Sequence, residues 1–70
     1  MNLNAQKLAT LINRGDKRVK RLQERDNPAR VPLTTIKDNA RGTIPSLRHA
    51  WSYKKALKLR FEDWFTEANT

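Results

Sequence analysis

The chain has 70 residues, with 15 Lys and Arg against seven Asp and Glu, a formal charge of +8, and no cysteine. So short a chain makes one domain with a thin core, because folding at this size hides only about 60% of the surface that the unfolded form exposes. Neither a disulfide framework nor a thiolate metal site supplements that core, and no apolar run approaches the roughly 20 residues of a membrane span. The expectation is a cytoplasmic protein with no signal peptide and no membrane association.

The charge is uneven. Residues 1–30 carry eight cations against three anions, residues 31–60 seven against one, and residues 61–70 three anions and no cation. A basic surface spread over most of the molecule, with an acidic C-terminal tip, calls for an anionic partner.

A first helix is expected from Ala5 to Arg14, with Asn4 as N-cap, Leu3 stapled onto Leu8, and Gly15 as the left-handed stop. Leu8, Leu11 and Ile12 form its apolar face. Asp16 caps a second helix from Lys17 to about Asp26, ended by Asn27-Pro28, in which only Val19 and Leu22 are apolar. Residues 27–32 read as an extended linker. A short helix from Leu33 to Arg41 follows, burying Leu33, Ile36 and Ala40 before Gly42 ends it.

Thr43 or Ser46 then opens a long helix, about residues 46–68, in which Leu47, Ala50, Trp51, Leu57, Phe61, Trp64, Phe65 and Ala68 recur at helical spacing. The aromatic residues Trp51, Tyr53, Phe61, Trp64 and Phe65 all fall in it, which makes it the packing spine. With no period-two alternation and no internal repeat, the fold class is all-α, a small domain of three to four helices.

Residues 5–24 place two helices on either side of a tight turn, with Leu8, Ala9, Ile12, Val19 and Leu22 where crossing helices need contacts. This segment resembles a helix-turn-helix motif. The resemblance implies that Lys17, Arg18, Lys20 and Arg21 lie on or beside a helix presented to the DNA major groove, with Lys20 and Arg21 toward base edges and neighbouring cations such as Arg25 on phosphates. It covers only these residues and departs from the motif at Asn13, where glycine is usual, at Arg14, where an aliphatic residue is usual, and in having no preceding helix. The competing reading is a solvated amphipathic helix whose cations simply face water.

A second basic cluster, Arg48, His49, Lys54, Lys55, Lys58 and Arg60, lies beside the aromatic face. Arg48, Lys54, Lys55 and Lys58 are candidates for phosphate contact, or else long side chains that cover apolar surface while keeping their charge wet. Trp51, Tyr53, Trp64 and Phe65 could stack on bases, although core packing is the plainer duty in a chain so poor in large apolar residues. An exposed remnant around Trp51, Trp64 and Phe65, with Glu62, Asp63 and Glu67 as rim, would instead dock a protein.

His49 stands without cysteine or a carboxylate cluster, so no metal site is expected, and no cofactor or catalytic constellation is either. The first reading is a small basic DNA-binding regulator of phage, plasmid or bacterial type, acting on transcription or recombination. The alternative is an accessory protein that binds an acidic surface of the transcription machinery, such as RNA polymerase; RNA binding is a third. Monomer and homodimer are equally compatible with the chain.

Overall fold

A computed structural model of the chain describes residues 1–68. Its helices follow the capping residues more closely than the hydrophobic periodicity. Four helices form, α1 (Leu3–Arg14), α2 (Lys17–Leu22), α3 (Leu33–Ala40) and α4 (Leu47–Leu57), followed by a 3₁₀ turn at Phe61–Trp64. The fold is all-α: among the described residues the only strand-like pairing is an isolated antiparallel bridge between Asn2 and Glu67.

Helix α1 starts two residues earlier than expected because Asn2, not Asn4, is the cap: its Oδ1 accepts the Ala5 N–H at 2.7 Å. Asn4 is then free to turn inward, where it is buried and its Nδ2 donates to the Arg60 carbonyl. Either asparagine satisfies the capping rule, and the tertiary contact to Arg60 decides between them. Gly15 ends the helix in the left-handed region at φ 69°, and Asp16 caps α2 by accepting the Arg18 N–H at 2.9 Å, both as the sequence predicts.

Helix α2 stops at Leu22 rather than near Asp26. Past Leu22 no apolar residue occupies the inward face, so propagation would bury nothing. Its last carbonyls are taken by the chain that follows: Leu22 by the Val31 N–H at 2.7 Å, Arg21 by Asn27 Nδ2 at 3.1 Å, Gln23 by Arg30 Nε at 3.2 Å. Residues 23–30 are accordingly a string of turns rather than an extended linker. In α3 Ile36 and Ala40 are buried as expected, whereas Leu33, in the first turn, is exposed.

The largest departure is the spine. The expected helix over residues 46–68 runs only from Leu47 to Leu57, capped by Ser46, and ends at Lys58 with φ 60°, a left-handed stop made by a residue with a side chain. The Leu59 N–H closes the end on the Tyr53 carbonyl at 3.4 Å. Burial explains the break: Leu57 and Leu59 are both buried, and a continuous helix would point residues two apart in nearly opposite directions. After the break the chain folds back. Leu3 N–H donates to the Thr66 carbonyl at 2.7 Å, and the N-terminal ammonium meets Glu67 at 3.2 Å.

Packing is organised by that return. Helix α1 rests on α3 and on the 3₁₀ turn, and α4 rests on α2 and on the same turn. The largest fully buried side chains include Leu8, Leu22, Ile36, Tyr53 and Trp64. Tyr53 and Trp64 form the centre, ring centroids 5.3 Å apart at 47°. The Tyr53 hydroxyl donates to Asn39 Oδ1 at 2.7 Å, Asn39 Nδ2 donates to the Thr43 carbonyl at 2.9 Å, and burial raises the Tyr53 pKa above its ordinary value. Among the described residues Asn4 Oδ1 and Trp64 Nε1 are buried without a hydrogen-bond partner.

Candidate nucleic-acid interface

In α2 the buried residues Val19 and Leu22 define the inward face, so the helical spacing turns Lys17, Lys20 and Arg21 outward. Arg18 lies on the flank. Its Nε is 3.0 Å from Asp16 Oδ1, and Arg14 approaches the other carboxylate oxygen at 3.3 Å. The hydrogen bond from the Arg18 guanidinium, reinforced by the Arg18 backbone N–H, holds the Asp16 carboxyl well below the usual carboxylate range and raises Arg18 in turn. Asp16 thus caps α2 and partly neutralises two arginines.

All nine cations proposed from the sequence, Lys17, Arg18, Lys20, Arg21, Arg25, Arg48, Lys54, Lys55 and Lys58, are exposed. Among the described residues Arg18 is the only one of them in an ion pair. The positive charge is therefore not consumed by internal pairing, and it is available to a partner.

The packing of α2 on α4 joins part of this set. A groove of about 340 Å³ between the two helices is lined by Arg18, Arg21, Ser52 and Lys55 over Leu22 and Ala56. A second depression of about 300 Å³ next to it brings Arg18 beside Lys58 and Lys7, over Leu11, Leu57 and Leu59. Arg18 belongs to both, so Arg21 and Lys55 connect through it to Lys58 at the C-terminal end of α4 and to Lys7 on α1, whereas Lys17 and Lys20 line neither depression. Lys7 was not singled out from the sequence. Only the fold-back at Lys58 sets the end of α4 beside the first turns of α1, and no local pattern reports that.

Arg25 stands in the turns after α2 and lines neither depression. Arg48 and Lys54 belong to a different place. They flank a groove of about 730 Å³ between α4 and the 3₁₀ turn, lined by Leu47, Ala50, Trp51 and Phe61. Leu47 is 75% exposed, Trp51 57% and Phe61 44%, so three residues expected in the core face solvent here. The Lys54 and Lys55 ammonium groups lie 5.6 and 5.5 Å from the Trp51 ring centroid, within cation–π range.

Of the three expected docking aromatics, Trp51 and Phe65 are exposed, and Trp64 is not: it is 1% exposed against Tyr53 and cannot anchor a partner. Asp63, expected on the rim, is buried too. Arg60 bonds Glu62 at 2.9 Å, which lowers the Glu62 pKa and raises that of Arg60. Among the described residues no group of His, Asp and Glu is arranged to hold a metal ion, and no helix is long and apolar enough to cross a membrane.

Compared with protein-family models, with curated proteins and with solved structures, the chain matches none.

Proposed function

We propose that the protein is a small DNA-binding regulator, of the kind phages, plasmids and bacteria use in transcription or recombination. It grips duplex DNA through the basic face formed by α2, the end of α4 and Lys7. The observation that carries this reading is a run of cations across three elements, Arg21 and Lys55 in one depression and Lys58 and Lys7 in the next, joined by Arg18, with Lys17 and Lys20 exposed on the same helix; only Arg18 of these forms an ion pair among the described residues. Several cations on one face suit the phosphate spacing of a duplex, whose charge density makes such contacts the main source of affinity.

The helix-turn-helix reading is retained for the pair α1–α2, whose turn is built on Gly15 and the Asp16 cap. With six residues α2 is short, about 9 Å long, so its reach into a major groove is confined to Lys17, Lys20 and Arg21. Backbone contact then dominates, and sequence preference is modest.

The test is fluorescence anisotropy of a labelled random duplex at about 50 and about 200 mM salt. Six or more phosphate contacts predict a loss of affinity of about a thousandfold or more across that range. Lys20→Ala with Arg21→Ala should weaken binding across all sequences and flatten the salt dependence by about two phosphate contacts. Unchanged affinity in that double variant would remove α2 from the interface, and no binding at low salt would end the DNA reading.

A further inference from the structure

The groove between α4 and the 3₁₀ turn is separate from the basic face, and its chemistry differs. Apart from Arg48 and Lys54 its lining is apolar: Leu47, Ala50, Trp51 and Phe61. Phe61 packs against Phe65, ring centroids 5.6 Å apart, and Phe65 shares a neighbouring, more polar depression with Ile44 and Met1, rimmed by Arg41 and Glu67. Among the described residues every exposed large hydrophobic residue except Leu33 lies in or beside these two depressions. Exposed apolar side chains scattered singly are ordinary, whereas a contiguous band with a polar rim marks a binding surface.

The rim selects the occupant. Arg48 and Lys54 make no ion pair among the described residues, and the Lys55 ammonium lies 5.5 Å from the Trp51 ring centroid. A second copy of this chain would bring the same cations, Arg48, Lys54 and Lys55, and no complementary carboxylates in the groove, on a protein that already carries +8. An unpaired base would share the Trp51 ring with two ammonium groups, and the apolar lining of Leu47, Ala50 and Phe61 offers its polar edge no hydrogen-bond partner. An acidic peptide segment with large apolar side chains satisfies both parts, its anchors in the groove and its carboxylates on Arg48, Lys54 and Lys55.

We infer that the Leu47–Trp51–Phe61 groove docks an acidic amphipathic segment of a partner protein. The protein then has two faces, one for nucleic acid and one for an acidic protein, adjoining along α4. The docking face does not depend on the DNA reading: Lys55 adjoins both faces, but Arg48 and Lys54 line only the apolar groove and Arg18 and Arg21 only the basic one.

The probe is a fluorescein-labelled peptide with Leu and Phe at i, i+3, i+4 and i+7 and Glu or Asp at most other positions, compared with a scramble of the same composition. The amphipathic peptide is expected to bind at least about tenfold more tightly than the scramble, and Trp51→Ala to lose at least about tenfold. Arg48→Ala with Lys54→Ala should weaken it and reduce its salt sensitivity, while Lys20→Ala with Arg21→Ala leaves it within about twofold. Trp51 is already half exposed, so its removal leaves the fold in place, which a thermal melt verifies. Equal binding of the scramble, or a Trp51→Ala loss within twofold, would overturn the assignment. So would a concentration-dependent dimer abolished by Trp51→Ala, which gives the groove to a second copy, or a matching loss of DNA affinity in Trp51→Ala, which gives it to nucleic acid.

Discussion

Two aromatic pairs sit within a few residues of each other and meet opposite fates. Tyr53 and Trp64 pack at 5.3 Å in the centre of the domain, while Phe61 and Phe65 pack at 5.6 Å on its surface, beside the open face of Trp51. The ring geometries are similar, and the two phenylalanines are the more apolar pair, so neither geometry nor apolarity decides which pair becomes core. The deciding feature is Lys58, whose left-handed backbone ends α4 and turns the following segment back over the molecule. That reversal brings Trp64 under Tyr53 and leaves Phe61 and Phe65 facing out. An aromatic residue in this chain is core or contact surface according to the backbone break, not according to its place on an ideal helix.

The sharpest way to break the comparison is to delete one ring from each population. Trp64→Ala should cost about 3–5 kcal/mol, a large part of what so small a domain has, and leave it largely unfolded at ambient temperature. Trp51→Ala and Phe65→Ala should each stay within about 0.5 kcal/mol in a urea melt. A large loss from Phe65→Ala would show that the surface pair also holds the fold.

Next in size is Tyr53→Phe. It keeps the ring against Trp64 and removes only the hydroxyl, which leaves Asn39 Oδ1 without its buried donor. The expected cost is about 1–3 kcal/mol by chemical denaturation, because an orphaned buried acceptor costs more than a hydrogen bond gains. The exposed pair has no such polar tie, so no equivalent substitution exists there.

The hinge between the two pairs can be tested for itself. A residue with a side chain in the left-handed region is strained by about 1–2 kcal/mol, and glycine gives part of that back as unfolded-chain entropy. Lys58→Gly should therefore stabilise the domain by roughly 0.5–1 kcal/mol in urea, with both aromatic pairs retained. Because Lys58 also belongs to the proposed basic face, the same change should weaken DNA binding. A variant that folds better and binds worse would separate the two duties of one residue. A loss of stability would mean that the Lys58 side chain, lying over Leu11 and Leu57, matters more to the fold than its backbone strain.

How much of this was legible in the sequence follows the same division. Gly15, Asp16, Ser46 and Gly42 act over three or four residues, and the helix ends they mark were readable because capping is local chemistry. The cations were placed correctly as exposed, since no feature of a thin core could hold them. The break at Lys58 was not readable: lysine gives no stop signal, and the spacing of Ala50, Tyr53, Leu57, Phe61 and Trp64 suits a continuous helix. What ends it is tertiary, the shared burial of Leu57 and Leu59 and the capture of the Arg60 carbonyl by Asn4, 56 residues away. The same blind spot kept Trp64, read first as core, on the alternative docking surface as well, and placed Leu47 and Phe61 in the core.

The smallest expected effect comes from Asp16→Asn, a change remote from both aromatic pairs and so a baseline for them. Asparagine also caps helices, so α2 persists, but the carboxylate that orders Arg18 and Arg14 is gone. The native pKa of Asp16 lies below its unfolded value, so its contribution is fully present above the unfolded value and is lost as pH falls through the native one. In acid titrations followed by circular dichroism, wild type should lose stability below about pH 4, and Asp16→Asn should start slightly less stable at neutral pH and fall less steeply. Releasing two arginines and removing one negative charge beside α2 should at the same time tighten DNA binding at low salt and steepen its salt dependence. Tighter binding from a slightly weaker fold is the result expected if the basic face, rather than the turn that supports it, meets the DNA; weaker binding would mean that the ordered Arg18–Asp16 pair is itself part of the recognition surface.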